Sequence, residues 1–381
     1  MKTCTITWIT YKNYGTFLQA YALQNVIKSL GYENVILSDK PIVEKNLPRV
    51  KDRLTFRSYK NGKKGNFLYQ IRLFHGFLND FSHEKIYYDT LKQFDIFQKK
   101  KLDVYEIAAV DKYYEIKNQF SCFICGSDQI WSLLEYNFNE YFFLGFTSKP
   151  KIAYAPSIGQ SEFPEPYRTR MCELVRNFQA LSCRERSSAS QLSELLGRDV
   201  KWVCDPTLLL SAEHWKKIGT KKYHKNKYIL CYFLENKEWY FQYANQVSDY
   251  LGIEYVLIPN RREYAYFDHV EKKAIGPEEF VALFRSADFV LTDSYHGSIF
   301  SLIFNKQFIY FKRFADGPIS QNIRIDSLFG YLGIMGNIIS EKVFNEKDIQ
   351  SLDYREINVK IEEHRKNSMD YLKRSLDNAN Q

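Results

Sequence analysis

The chain has 381 residues, of which 45% are hydrophobic and 26% are charged, and these fractions exclude a disordered chain, a collagen-like repeat and a small disulfide scaffold. The length predicts two or three domains. The net charge of +8 favours anionic partners, such as phosphorylated metabolites, membrane surfaces or nucleic acid, without choosing among them.

The N-terminal residues predict a β–α–β unit. Residues 3–10 alternate polar and apolar side chains as a strand does, 11–15 suit a turn, and 16–30 carry apolar residues at helical spacing. A second strand at 35–37 implies a parallel sheet, whose ligands bind beyond the carboxyl ends of the strands. Because the first strand lacks the features of a signal peptide and no run approaches the ~20 apolar residues of a membrane span, we expect a cytoplasmic protein.

Residues 43–115 break this rhythm, and we interpret them as an irregular helical insertion into the first domain. The segment is rich in Phe and Tyr and concentrates basic residues at 49–64 and 99–101. Two interpretations remain open. The insertion is either a solvated helical surface or a basic aromatic face that touches a membrane or a lipid-linked acceptor.

Four further apolar runs predict strands, and a polar cluster follows each one. Several loops therefore converge on one edge of the sheet. The runs are residues 120–125, 152–155, 180–183 and 200–203, and the clusters are Gly126–Gln129, Pro156–Gly159, Arg184–Glu185 and Asp205.

A second α/β series begins after a predicted hinge at Asp205–Leu210. We predict a fold of the α/β class, with two Rossmann-like domains facing a cleft. The domains are an N-terminal one at 1–205, a C-terminal one at 206–355 and a closing helix at 356–381. In the second domain the predicted strands are 228–233, 254–258, 289–292 and 308–311, and the predicted helices include 239–251 and 277–287.

The seven cysteines are scattered, and most lie in runs that predict buried strands. Cys122 and Cys125 have CxxC spacing, but they lie within a strand and have no second pair, which argues against a zinc or redox site. We expect free, buried thiols and no metal.

His296 is the strongest single candidate for a functional residue. It lies in a strand-to-helix turn, where helix N–H groups can face an anion, and Gly297 would let a ligand approach the backbone. A histidine there can bind phosphate or move a proton. The alternative is a helix-capping histidine without a special role.

Arg184 and Arg186 flank a strand end and suit bidentate recognition of carboxylate or phosphate, although surface ion pairs would explain them equally well. The loop Ser127–Gln129 is either a ligand loop or a helix cap. Lys312, Arg313 and Arg324 follow the last strand of the second domain and add positive charge near His296. The signatures GxGxxG, Walker A, HExxH and GxSxG are absent from the sequence.

At these motifs the sequence resembles the polysaccharide pyruvyl transferase family. Seven blocks in order carry the resemblance, from residue 13 to about 330. They are Asn13–Thr16 with Leu18–Gln24, Gly126–Trp131, Tyr154–Gly159, Ser182–Glu185, Asp205–Leu209, Thr292–Gly297 and Asn322–Ile325.

The resemblance implies a glycosyltransferase-B-like fold and transfer of the enolpyruvyl group of phosphoenolpyruvate to a sugar, which gives a pyruvate ketal and free phosphate. It implies catalytic roles for His296 and Arg184. It also implies a further basic residue at the donor, for which Lys312, Arg313 and Arg324 are all candidates. The remaining predicted substrate-binding residues are Asn13, Gly15, Thr16, Ser127, Asp128, Gln129, Ser157, Arg186, Ser294, Gly297 and Ser298.

The implied partners are phosphoenolpyruvate and a sugar acceptor, lipid-linked in one interpretation, with peripheral contact to the inner face of the membrane. No cofactor, metal or nucleic acid is expected. Three other interpretations stay open at this stage. They are a nucleotide-sugar-dependent glycosyltransferase of the same fold, a non-catalytic scaffold in polysaccharide assembly, and a nucleic-acid binder, for which no recognised module is present.

Overall fold

The computed structural model describes residues 1–46, 67–133, 138–160, 164–165, 167–221, 224–315, 317, 320–340 and 343–380. In the long helix that begins at residue 67, side chains are described from residue 84 onward. The basic run predicted at 49–64 lies outside the described residues.

The N-terminal domain is built on a five-stranded parallel sheet with the order β3-β2-β1-β4-β5. A bridge between Ile152 and Ala180 continues the sheet to a further parallel pair, β6 and β7. The strands are β1 Lys2–Ile6, β2 Glu33–Leu37, β3 Val104–Tyr105, β4 Cys122–Cys125, β5 Lys151–Ala153, β6 Ser182–Cys183 and β7 Lys201–Trp202. The helices are α1 Tyr14–Ser29, α2 Lys40–Asn46, α3 Phe67–Lys101, α4 Tyr167–Val175 and α5 Arg186–Leu196.

Strand β1 ends at Ile6, four residues before the predicted end. Beyond it the chain bonds to side chains and loops instead of a neighbouring strand. The Thr7 hydroxyl donates to the Ser127 carbonyl (3.1 Å), and the Thr10 hydroxyl donates to Asp39 (2.7 Å), which also accepts from the Ile9 amide (3.4 Å). This detour carries residues 8–13 over the carboxyl edge of the sheet.

The predicted insertion contains part of the sheet. Helices α2 and α3 lie in it, but β3 pairs in parallel with β2, so the sheet resumes at residue 104. The second half of α3 also reaches the C-terminal domain. The Glu84 carboxylate accepts from Tyr266 (3.1 Å) and pairs with Arg262 (2.6 Å), and the Thr90 hydroxyl accepts from the Ile275 amide (3.1 Å).

The C-terminal domain holds a second five-stranded parallel sheet, with the order β12-β11-β10-β8-β9. The predicted α/β fold with two Rossmann-like domains is confirmed. The strands are β8 Ile229–Tyr232, β9 Tyr255–Leu257, β10 Phe289–Thr292, β11 Gln307–Phe311 and β12 Ile338–Ile339. The helices are α6 Pro206–Leu209, α7 Ala212–Ile218, α8 Glu238–Leu251, α9 Pro277–Ser286, α10 Tyr295–Ile303, α11 Ile323–Leu332 and α12 Tyr354–Ala379.

Two features besides α3 join the domains. An apolar cluster runs from α1 into α9 and α10, where Tyr14 stacks on Phe280 with ring centroids 4.4 Å apart. Helix α12 returns to the first domain, where the Tyr371 hydroxyl donates to the Ala153 carbonyl (2.8 Å) and Ser368 accepts from the Cys204 amide (2.9 Å). The two sheets are therefore held with their carboxyl edges facing each other.

All seven cysteines are free thiols, and six of them are buried, as the sequence predicts. Burial raises the pKa of the Cys122 thiol to about 12 and also raises that of the Cys125 thiol well above its ordinary value. Among the described helices, none combines the length and apolar character needed to span a bilayer.

Candidate active site

A cleft of about 410 Å³ lies between the two domains. Its walls are made by the residues that follow β1, β4, β8, β9, β10 and β11, together with one face of α3. A ligand in this cleft would meet the carboxyl ends of both parallel sheets, which is where such sheets bind ligands.

His296 is the second residue of α10 and reaches across to the N-terminal domain. Ser294 caps the helix by accepting from the Gly297 amide (3.3 Å). The imidazole occupies the space above Gly15, because a Cβ on that residue would lie 1.9 Å from the His296 Nδ1 atom. On its other side, His296 Nε2 lies 3.3 Å from Asp205 Oδ2. The His296 ring thus lies between Gly15 and Asp205, both of which precede or belong to elements outside α10.

Asp205 is the residue that organises this contact. Its Oδ2 atom accepts from Arg184 Nη1 (2.8 Å) and faces His296, while its Oδ1 atom accepts from the amide (3.0 Å) and hydroxyl (2.7 Å) of Thr207. Burial alone would raise the pKa of this carboxyl, but His296, Arg184 and the Thr207 amide hold it well below its usual range. Asp205 is therefore a buried, permanently charged carboxylate.

Arg184 lies behind the cleft and not in its lining. Its guanidinium is buried, stacks 4.6 Å from the Tyr295 ring and lies 4.0 Å from Asp128 and 3.7 Å from Glu185. Burial would lower its pKa, but Tyr295 and the surrounding carboxylates raise it. Within the described part of the chain, its Nε and Nη2 atoms find no hydrogen-bond partner.

The loop after β4 brings Asp128 and Gln129 into the cleft. Asp128 has a φ of 67°, a conformation that Asp adopts more readily than most residues. Its carboxylate accepts from the Thr16 hydroxyl (2.7 Å) and from the Gln129 amide (2.9 Å). The Gln129 side chain donates to the Gln321 side chain (3.0 Å), which bridges the domains across the cleft.

Arg313 and Arg324 supply positive charge to the cleft, which Lys12 and Arg261 also line. Arg324 donates to the Gln321 side chain (3.0 Å) and carbonyl (3.3 Å). Its pKa is lowered to about 10, first by burial and then by the charges of Arg313 and Arg184. Three guanidinium groups thus lie close enough to repel one another, which an anionic ligand would relieve.

The other predicted residues fall into three groups. Asn13, Thr16 and Ser294 line the cleft, and Asn13 caps α1 by accepting from the Gly15 amide (2.9 Å). Four residues lie behind the cleft, Ser127 and Ser157 in loops and Gly297 and Ser298 in the first turn of α10, and the three serine hydroxyls donate to Ala155, Glu185 and Ser294. Lys312 and Arg186 do not line the cleft: the Lys312 amide pairs with the Ile339 carbonyl (2.8 Å), and the Arg186 guanidinium lies 5.8 Å from the Trp202 ring.

Several residues of the cleft were not predicted from the sequence. Glu235, Asn260 and Arg261 follow β8 and β9, so the rule that polar residues at strand ends face the site would have found them. Tyr87 lies in α3, and nothing in its local sequence indicates that one face of this helix lines the cleft. In the described residues no group of three His, Cys, Asp or Glu side chains is placed to hold a metal ion.

A family model described as polysaccharide pyruvyl transferase matches residues 13–313, which is most of the chain. Among curated proteins, no sequence matches this chain.

Solved structures match the fold. The UDP-GlcNAc 2-epimerase from Neisseria meningitidis bound to UDP-GlcNAc is 12% identical, covers 99% of each chain and has a TM-score of 0.50. The S. aureus MnaA–UDP co-structure is also 12% identical, with 89% of this chain and 83% of that chain covered and a TM-score of 0.50. At these identities the likeness concerns the fold alone, which is glycosyltransferase-B-like as predicted.

Proposed function

The chain belongs to the polysaccharide pyruvyl transferase family, and from this membership we propose that it transfers the enolpyruvyl group of phosphoenolpyruvate to a sugar. The acceptor would be part of a cell-surface or exopolysaccharide precursor, and the products a pyruvate ketal and phosphate. The observation that carries the proposal is the presence of His296, Arg313 and Arg324 in the lining of one cleft between the domains, where the charge of Arg313 acts on Arg324.

The charge of this group suits the proposed donor. Phosphoenolpyruvate carries a phosphate and a carboxylate, and the planar guanidinium forks of Arg313 and Arg324 match both. Arg184 lies behind the cleft, so we propose that it acts on the donor site through its charge and through Asp205. The mutual repulsion that lowers the pKa of Arg324 would fall when the anion binds.

The proposed reaction needs a proton donor and acceptor beside the donor's double bond. Protonation of the methylene carbon leaves an oxocarbenium-like centre at the neighbouring carbon. One sugar hydroxyl attacks that centre and loses its proton, phosphate leaves, and a second hydroxyl closes the ketal and loses its own proton. His296 is the group proposed to carry the proton, and Asp205 holds its ring in place from the side away from the cleft.

No cofactor is needed for this sequence of steps, because it uses only proton transfer and charge stabilisation. The lipid-linked form of the acceptor and the contact with the inner face of the membrane stay predictions from residues 43–115. In the described part of that segment, α3 contributes to the wall of the cleft, which supports a role for the insertion in acceptor binding.

A donor screen by thermal unfolding separates this proposal from nucleotide-sugar-dependent glycosyl transfer on the same fold. The two similar structures hold UDP-GlcNAc or UDP, so UDP-GlcNAc is the competing probe. A ligand at about 100 times its Kd stabilises the folded chain by about 2.7 kcal/mol, which is a shift of a few degrees. We expect phosphoenolpyruvate to raise the melting temperature. A shift with UDP-GlcNAc and none with phosphoenolpyruvate would overturn the proposal.

The role of His296 is tested by following phosphate release from phosphoenolpyruvate in the presence of sugar acceptors. His296→Ala should lose most of the turnover, whereas His269→Ala removes a histidine that does not line the cleft and should keep it. Wild-type turnover by His296→Ala would show that this residue carries no proton in the reaction.

A further inference from the structure

The cleft has two chemically different halves. The cationic half is formed by His296, Arg313 and Arg324, as described above. The second half, here called the aromatic half, is lined by Tyr11, Tyr87, Leu91, Asn260 and Arg261. The fully buried ring of Tyr232 lies between the two halves and interacts with both Tyr11 and Arg313.

The members of the aromatic half are neighbours in space. The pKa of Tyr87 is raised by burial first, and among its further influences are Tyr11, which raises it, and Arg261, which lowers it. Leu91 follows Tyr87 by one turn of α3, so both side chains lie on the same helix face. The first domain, the insertion and the second domain each contribute to this wall.

The wall is held in place by contacts that cross between domains. The Glu84 carboxylate binds Arg262 and Tyr266 at one end of the α3 segment, and the Thr90 hydroxyl accepts from the Ile275 amide in its middle. Further along the helix, Asp95 pairs with Lys12 (2.7 Å). Because α3 is anchored at these points, Tyr87 and Leu91 present a preformed surface, as small-molecule sites commonly do.

Asn260 and Arg261 give the aromatic half its polar groups. Asn260 donates to the Phe233 carbonyl (2.8 Å) and Arg261 donates to the Leu234 carbonyl (2.6 Å), so both side chains are fixed. Asn260 Oδ1 and Arg261 Nε are buried and lie out of reach of a ligand. The Arg261 side chain as a whole is 33% exposed and lines the cleft, so its outer N–H groups can donate to the hydroxyls of a ligand.

We propose that the aromatic half is the acceptor subsite and binds one neutral sugar ring. The apolar face of a pyranose lies against the rings of Tyr11 and Tyr87, and its hydroxyls accept from the exposed N–H groups of Arg261. The cleft volume of about 410 Å³ exceeds what phosphoenolpyruvate alone would fill, so donor and acceptor fit side by side. This inference rests on the proposed function, because it places an acceptor hydroxyl beside the donor at His296.

The test uses the full chain with a panel of methyl hexopyranosides, observed by saturation-transfer difference NMR in the presence of phosphoenolpyruvate. At least one glycoside should show saturation of its ring protons with the wild type. Tyr87→Ala should reduce that signal at least fivefold, and Tyr87→Phe should keep it, because the ring and not the hydroxyl makes the contact. The control is Tyr114→Ala, an exposed tyrosine that lies away from the cleft.

The thermal shift given by phosphoenolpyruvate separates the two levels of the proposal. It should be the same in wild type and Tyr87→Ala, since the cationic half is intact, and an unchanged shift also shows that the variant folds. If phosphoenolpyruvate shifts the wild type but no glycoside gives a signal, or if the signal survives in Tyr87→Ala, the acceptor subsite is wrong. If phosphoenolpyruvate gives no shift in the wild type, the proposed function fails first.

Discussion

Replacing Asp205 by Ala should cost more stability than any comparable loss of a surface carboxylate. The substitution removes the partner of Arg184 and the cap of α6, and it leaves a buried guanidinium without its closest counter-charge. Breaking a buried ion pair from one side costs about 3–5 kcal/mol. Because Glu185 and Asp128 remain 3.7 and 4.0 Å from Arg184, we expect a value near the lower end, about 3 kcal/mol.

The matched control is Asp353→Ala. Asp353 also caps a helix and pairs with an arginine, since it accepts from the Arg355 amide (2.9 Å) and side chain (2.7 Å), but that arginine is exposed. Solvent screens such a pair, so the loss should be much smaller. Urea unfolding followed by circular dichroism measures both variants. If Asp205→Ala and Asp353→Ala lowered the free energy of unfolding equally, the reasoning would be refuted, because burial would then have no effect on how much an ion pair stabilises the fold.

The same variant should also change the active site. Without Asp205, His296 keeps its contact with Gly15 but loses the carboxylate beside its Nε2 atom. Asp205→Asn keeps the side-chain shape and removes the charge, so it should recover part of the stability and little of the turnover. If Asp205→Asn turned over at the wild-type rate, the carboxylate charge would have no part in positioning the histidine.

Four further predictions follow from individual contacts. Gly15→Ala should displace the His296 ring and lower turnover at least tenfold, whereas Gly330→Ala, which meets nothing within 4 Å, should leave turnover unchanged and stabilise the helix slightly. Arg324→Ala should abolish the thermal shift with phosphoenolpyruvate, and a retained shift would contradict this prediction. Without ligand the variant should be as stable as the wild type or more stable, because the repulsion between Arg324 and its neighbouring guanidinium groups is removed. Burial raises the pKa of Asp39 to about 6, above its unfolded value of about 3.9, so between these values the folded chain binds more protons than the unfolded chain. The free energy of unfolding should therefore fall as pH rises from about 4 through 6. Urea unfolding at several pH values should show a smaller fall for Asp39→Asn, and a fall equal to that of the wild type would count against this prediction. Treatment with EDTA should leave phosphate release unchanged, and a loss that added Mg²⁺ or Zn²⁺ restores would show a metal requirement.

The succession of strands and helices could be predicted because it depends on local pattern. The helix after β1, the strand at 122–125 and the strand at 289–292 each follow from a run of apolar residues and a turn signal nearby. The rule that strand ends face the ligand then indicated Asp128 and His296, which the structure places in the same cleft. At the end of β1 the local pattern was misleading. It predicts a strand up to Thr10, but Thr10 bonds to the Asp39 side chain and not to a neighbouring strand.

The parallel α/β architecture and the strand-end residues follow from the amino-acid order alone, because both depend on the succession of apolar and polar residues along a short stretch. Which of those residues share a cleft and which lie behind it depends on how the two sheets pack together. In the sequence, Arg184 and Arg324 are equal candidates for binding the donor. In the structure, Tyr295 and Asp205 hold Arg184 behind the cleft, whereas Arg324 lines it. Gly15 and His296 are separated by most of the chain, and their contact exists because two sheets face each other, which no local pattern encodes.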